Sequence, residues 1–171
     1  MIKMIDKVTI MNEARAKYRL EHEAEIKERA KISFEQYKND PLFVAGVMLY
    51  WGEGTRLPEY KKYKLALTNS TPDLLKVYCI FLRRYFTNIE SVLRVALFIY
   101  QDIDESDTKL FWSDRLKIPL NQFIKTQVLP SRSILTKTKL PYGTCCVYLN
   151  SKDYCYTMQV WIDKMSSIMR G

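Results

Sequence analysis

The feature that most constrains this sequence is a run of apolar side chains over residues 42–51, followed at once by Gly52-Glu53-Gly54. Asp40 and Pro41 precede the run, and an acidic N-cap with proline in the first turn is a common helix start. A helix that is apolar on every side has to be covered on every side. In a chain of 171 residues, we therefore expect this helix to pack on its own domain and also on a partner. The alternative is a central core helix of a monomer.

Helical and extended patterns are interspersed along the chain, and the connections between them are short. No Gly-rich phosphate loop occurs. This order favours an α+β domain with an antiparallel sheet and helices on one face over a doubly wound parallel sheet. Helices are expected at residues 9–38, 41–51, 72–85, 104–116 and 151–168, and strands at residues 60–68, 91–100 and 144–150.

The first two strands separate apolar from basic side chains. In residues 60–68, Leu65 and Leu67 point to one side, whereas Lys64 and Thr68 point to the other. Residues 91–100 repeat the pattern, with a basic side chain opposite the apolar ones. Alternation of this kind indicates a strand with one face in the core. The sheet is thus expected to have one apolar face and one basic face.

Charge indicates a polyanionic partner. The chain has 27 Lys and Arg against 19 Asp and Glu, a formal net charge of +8. From Arg115 to Lys152 there are seven basic residues and no acidic one. Nucleic acid is the first candidate partner and an acidic membrane surface the second. A solvated basic loop is the alternative for this segment, and no apolar stretch is long enough to span a membrane.

Histidine and cysteine usage excludes several chemistries. His22 is the only histidine and lies in a run of charges, so a His-based zinc site or a Ser-His-Asp triad is not expected. The four cysteines form no C-x-x-C pair and are interpreted as buried, reduced thiols of a cytoplasmic protein. Hydrolytic chemistry would have to rest on carboxylates, lysines or a metal ion.

The apolar helix and its Gly-Glu-Gly end resemble the LAGLIDADG motif of homing endonucleases. The match puts Glu53 at the metal-binding acid of that family and Gly54 at its closing glycine. Residues 63–75 resemble the second strand and following helix start of the family, with Asn69 at the turn. Met48 departs from the motif, which has a small glycine there, and Trp51 replaces its first acidic residue.

This resemblance implies a fold and a mode of action. The fold would be an αββαββα domain over residues 40–171, preceded by a charged helical extension over residues 1–39. Because only one motif occurs, the protein would act as a homodimer that cleaves double-stranded DNA with Mg²⁺ or Mn²⁺. The metal ligands would be Glu53, which is also the catalytic residue, and the Gly52 carbonyl. The dimer interface would contain Phe43, Gly46, Val47 and Tyr50.

The DNA-binding residues implied by the resemblance and the basic strand face are mostly cationic. Arg56, Lys125 and Lys139 are also candidates to polarise water or phosphate at the site. Two alternatives stay open: a non-catalytic transcriptional regulator on the same fold, and an unrelated basic α+β protein that binds RNA or a protein. The full DNA-binding set is Arg56, Lys61, Lys62, Lys64, Thr68, Asn69, Arg94, Lys125, Arg132, Lys137 and Lys139.

Overall fold

A computed structural model describes residues 2–55, 63–130 and 140–171, with side chains from residue 7 onward. Within these residues the chain forms helices α1 (Ile2–Tyr37), α2 (Pro41–Glu53), α3 (Pro72–Tyr85), α4 (Glu105–Leu116) and α5 (Lys152–Arg170), and strands β1 (Lys64–Asn69), β2 (Leu93–Tyr100), β3 (Gln127–Leu129) and β4 (Thr144–Asn150). A single 3₁₀ turn, Leu120–Gln122, precedes β3. The α+β class expected from the sequence is confirmed.

The four described strands form one sheet in the order β1-β4-β2-β3. Strand β4 pairs antiparallel with both β1 and β2. Strand β3 pairs parallel with β2, from Phe98 opposite Gln127 to Tyr100 opposite Leu129. The expectation of a purely antiparallel sheet is therefore wrong, because a short strand from the basic segment returns along the outer edge of β2. The start of the strand expected at residues 60–68 lies outside the described residues.

The two faces of the sheet differ in what covers them. Leu65, Val95 and Val147 belong to one large core cluster with side chains from all five helices. The opposite face carries a small separate cluster of strand residues, which includes Ala66 and Tyr148. Helices thus cover one face of the sheet, as expected from the alternating pattern, and the other face carries no helix within the described residues.

Helix α2 begins where the sequence predicts. The Asp40 carboxylate accepts a hydrogen bond from the Leu42 N–H at 3.0 Å, and Pro41 occupies the first turn. The side of α2 that faces the sheet and the other helices is fully covered. The Phe43 ring lies 4.8 Å from the Trp161 ring, and Gly46 lies against the Phe81 side chain of α3.

The predicted dimer interface is not available to a second copy. Phe43 and Val47 are 0 % exposed and Tyr50 is 3 % exposed, and Gly46 is also buried. These four residues fill the core of their own chain, so they have no surface left for a partner. The exposed part of α2 is the opposite stripe, which contains Ala45, Trp51 and Gly52.

Helix α1 divides into two parts. Its second half joins the core, since Ile26, Ala30 and Phe34 are buried and the Trp161 indole N–H donates to the Ala30 carbonyl at 3.1 Å. Residues 7–21 contain no buried side chain. The extension assigned to residues 1–39 thus contributes to the domain core through its second half.

Glycine at position 46 sets the distance between α2 and α3. A Cβ there would overlap the Phe81 ring, whereas a Cβ at Gly52 would have no atom within 4 Å. We expect Gly46→Ala to lower the free energy of unfolding by about 1–3 kcal/mol, because a well-packed core does not accept an extra methyl group. Gly52→Ala is the matched control and, at concentrations where the chain is monomeric, should be neutral or stabilising by up to about 1 kcal/mol. Urea unfolding measures both, and equal stabilities would contradict this packing.

Candidate nucleic-acid interface

The end of α2 is joined to β1 by backbone contacts. The Thr55 N–H donates to the Ala66 carbonyl at 2.8 Å, and Gly54 forms an antiparallel bridge with Leu67. The Tyr50 hydroxyl donates to the Thr55 carbonyl at 2.7 Å and so holds Thr55 against the end of α2. These contacts hold the last turn of α2 beside the second half of β1.

Glu53 is exposed in that last turn, next to exposed Gly52. Within residues 2–55, 63–130 and 140–171, no three or more His, Cys, Asp or Glu side chains are grouped to hold a metal ion. Mg²⁺ prefers several oxygen ligands, commonly one or two carboxylates together with substrate phosphates and water. The described part of one chain therefore does not fit a complete magnesium site, and the predicted metal role of Glu53 and Gly52 needs a second carboxylate from elsewhere.

The helix-free face of the sheet has a tyrosine with a cation on each side. Tyr148 of β4 lies opposite Ala66 of β1 and opposite Arg94 of β2. The Lys64 ammonium lies 3.9 Å from the centre of the Tyr148 ring, which is a close cation–π contact. Burial raises the pKa of Tyr148 above its ordinary value, although Arg94 acts in the opposite direction. The tyrosine is therefore a neutral hydroxyl at physiological pH.

Local hydrogen bonds hold Arg94 in place. Its guanidinium donates to the Ser91 carbonyl at 2.9 Å and to the Leu93 carbonyl at 2.8 Å, and the residue is half-buried. Both bonds use the same terminal nitrogen, which leaves other N–H groups of the fork for a ligand. Thr68 is exposed on this face and lies opposite Cys146. Lys64, Thr68 and Arg94 therefore share one surface, as predicted from the strand pattern.

Asn69 has a structural role in addition to any contact with a ligand. Its side-chain carbonyl accepts a hydrogen bond from the Thr71 N–H at 2.9 Å. Thr71 is the N-cap of α3 but makes no capping bond with its own side chain. A polar residue at position 69 is thus explained by the turn that begins α3.

Lys125 is far from the predicted catalytic acid. It follows Ile124, whose N–H donates to the Val95 carbonyl of β2, so it lies toward the β3 edge of the sheet. The end of α2 contacts β1, which is the opposite edge, and three strand spacings amount to about 14 Å. Lys125 also contributes, after Lys109, to lowering the pKa of Glu105 in α4. Within one chain Lys125 and Glu53 therefore lie toward opposite edges of the described sheet, and the suggestion that Lys125 polarises water at the site stays a prediction.

Six other predicted DNA-binding residues cannot be placed on either face. Of these, Arg56 and Lys139 were also candidates for polarising water or phosphate. All six lie outside the described residues: Arg56, Lys61, Lys62, Arg132, Lys137 and Lys139.

Two features of the surface were missed in the sequence. Tyr148 alternates with the core residues of β4, so its face could have been assigned, but its place between Lys64 and Arg94 depends on strand order. The outer stripe of α2 was hidden because the helix is apolar all round. Met48, Trp51 and Gly52 line a shallow depression there, and the Trp51 side chain is 43 % exposed.

Comparison with protein families, with curated proteins and with solved structures finds no match to this chain. Among the described residues, no helix combines the length and apolar character needed to cross a membrane.

Proposed function

We propose that this chain binds double-stranded DNA as a homodimer, through the helix-free face of its sheet. One observation carries the proposal. The same sheet that packs the helices on one face presents Lys64, Thr68 and Arg94 around Tyr148 on the other. The formal net charge of +8 adds a long-range attraction for a polyanion. The LAGLIDADG-type αββαββα arrangement and its DNA-binding role remain part of this proposal.

Strands can enter the major groove of DNA, where side chains reach base edges and phosphates. Arg94 is suited to a guanine or a phosphate, because its guanidinium is already held in position and keeps free N–H groups. Lys64 acts as a point charge toward phosphate, and the Thr68 hydroxyl can donate or accept a hydrogen bond. Phosphate contacts would supply affinity and base contacts specificity.

The homodimer would use the outer stripe of α2, defined by Ala45, Met48, Trp51 and Gly52. This stripe is apolar and, unlike the opposite side of the helix, leaves Ala45, Trp51 and Gly52 exposed. Small residues at positions 45 and 52 are seven apart, which places them on one side of a helix and permits close approach. A two-fold axis through this stripe would bring together the two copies of Glu53.

DNA cleavage is the second part of the proposal and depends on that dimer. The Glu53 carboxylate of each copy, with the Gly52 carbonyl beside it, would hold Mg²⁺ or Mn²⁺ against the DNA phosphate. When bound, the metal would supply charge neutralisation at the phosphate and an activated water. The contribution of the chain is a carboxylate held at the β1 edge of the DNA-binding face.

A non-catalytic DNA-binding regulator is the competing function. The observation in its favour is that the described residues contain no three-residue group of metal-ligating side chains. Binding would then use the same sheet face and the same dimer, whereas Glu53 would be an ordinary exposed helix-end residue.

If the sheet face binds DNA, removing the charges of Lys64 and Arg94 should weaken DNA binding and its dependence on salt. Replacing Lys64 and Arg94 together by Gln should weaken DNA binding and reduce the slope of log affinity against log salt by about 2, since each lost phosphate contact contributes roughly 0.9. Fluorescence anisotropy with a labelled duplex over a salt series measures both quantities.

Lys31→Gln with Arg170→Gln is the matched control for that experiment. It removes the same charge from exposed positions on α1 and α5 and should leave the salt slope nearly unchanged. Equal losses in the two double variants would mean that binding depends on net charge alone, and the proposed face would be rejected.

The dimer predicts a specific effect at position 45. Ala45→Glu places a charge in the outer stripe of α2, so we expect markedly weaker self-association by sedimentation velocity and little change in monomer stability. Ile32→Glu introduces the same charge at an exposed apolar position of α1 and should leave the dimer intact. A wild-type chain that sediments as a monomer at all concentrations would refute this interface.

The cleavage proposal rests on Glu53. We expect Mg²⁺-dependent cutting of a target in the DNA that flanks its own gene, and a loss of about 100-fold or more in Glu53→Gln with DNA binding retained. Cleavage that survives Glu53→Gln would remove the catalytic assignment. Salt-sensitive binding without cleavage in either Mg²⁺ or Mn²⁺ would identify the regulator instead.

A further inference from the structure

The first half of α1 projects beyond the rest of the fold. We refer to residues 7–21 as the arm. The ion pairs Lys152–Glu23 and Lys164–Glu35 show that α5 runs parallel to α1 and begins beside residue 23. The arm extends past that point, so α5 does not cover it, and none of its side chains is buried.

The arm exposes several apolar side chains, which is unfavourable for a helix that has no partner in water. Val8 is 48 % exposed, Met11 45 % and Tyr18 68 %. A lone helix of about 15 residues is marginally stable in water, and most helical stability in proteins comes from packing of one face. An arm with this composition is therefore expected to be helical against a partner.

Three of the exposed apolar residues of the arm, Val8, Met11 and Tyr18, continue an interface that the chain already uses. Val8, Met11, Arg15, Tyr18 and His22 follow one another at alternating spacings of three and four residues, which is the spacing of a coiled-coil seam. At His22 this seam reaches α5, where the imidazole contacts Asp153 at 3.3 Å. After His22, the residues on the same side of α1 are Ile26 and Ala30, and both are buried.

We propose that the arm pairs with the arm of a second copy of this chain in antiparallel orientation. In the register that places Val8 opposite Tyr18 of the second copy, Met11 lies opposite Arg15. Lys7 and Glu21 flank the seam on the same side, and this register puts Lys7 of each copy beside Glu21 of the other. Two equivalent Lys7–Glu21 ion pairs would therefore form, one at each end of the paired arms.

A parallel pair does not fit the same residues. Arg15 would lie opposite Arg15 in the seam, and two like charges at that distance repel. Lys7 would face Asn12 and lose its acidic partner. The arm contact does not depend on DNA binding or on the outer stripe of α2, so the two contacts can be tested separately.

Thiol crosslinking of the full chain tests orientation. The four native cysteines are free and buried, so a thiol added to the arm is the accessible one among the described residues. In the proposed register Ala14 lies beside Ala14, whereas Val8 is offset from Val8 by about 15 Å along the axis, at 1.5 Å per residue. A short thiol-to-thiol crosslinker should therefore trap dimers of Ala14→Cys and not of Val8→Cys. Efficient crosslinking of Val8→Cys, or of neither variant, would overturn the proposal.

Charge exchange tests the register. In the full chain carrying Ala45→Glu, which removes the α2 contact, Lys7→Glu or Glu21→Lys should weaken self-association about two- to thirty-fold, as expected for two exposed ion pairs. The double variant Lys7→Glu with Glu21→Lys should restore it. Glu13→Lys lies on the outer side of the arm and is the control. Failure of the double variant to recover association, with helicity unchanged by circular dichroism, would reject the register.

Discussion

The packing of Phe43 is the interaction on which the rest of the structure depends. Its ring contacts Phe34 of α1, Phe81 and Tyr85 of α3 and Trp161 of α5 at centre distances between 4.8 and 6.2 Å. Three helices are thus positioned by one side chain of α2. Aromatic groups at these distances gain from both buried area and edge-to-face geometry. Because Gly46 has no side chain, α3 can come close enough to complete this cluster.

The packing of α2 around Phe43 also determines where the two ends of this helix lie. At the first end, Arg84 of α3 forms an ion pair with Asp40, the N-cap of α2, at 3.4 Å. At the other end, the Tyr50 hydroxyl donates a hydrogen bond to the Thr55 carbonyl. The position of Glu53 at the β1 edge is therefore set by the core packing of α2. Its own carboxylate is not needed to hold it there. Loss of core packing would displace the candidate acid without any change to its chemistry.

The sequence predicted where helices and strands begin and end better than it predicted which of them lie side by side. The cap Asp40, the strand Thr144–Asn150 and the start of the last helix beside Ser151 lie where local patterns predict them. The parallel strand β3 and the distance between Lys125 and Glu53 depend on which strand lies beside which, and alternation within a strand carries no such information. Which side of α2 is buried could not be predicted from the sequence either. A helix that is apolar all round has almost no amphipathic signal, so burial of Tyr50 rather than Trp51 is decided by tertiary packing.

The proposed binding surface differs from a solvated basic face in how its charges are held. A flexible lysine loses side-chain entropy when it contacts phosphate, which reduces the net gain. Lys64 is already placed over the Tyr148 ring, and Arg94 is already bonded to two carbonyls. Both cations therefore lose less freedom on binding than free surface charges would. Binding in this arrangement requires only one sheet face, whereas metal-dependent cleavage requires a second Glu53. The two proposed activities are thus physically separable, and a chain that has lost its dimer should keep weak DNA binding.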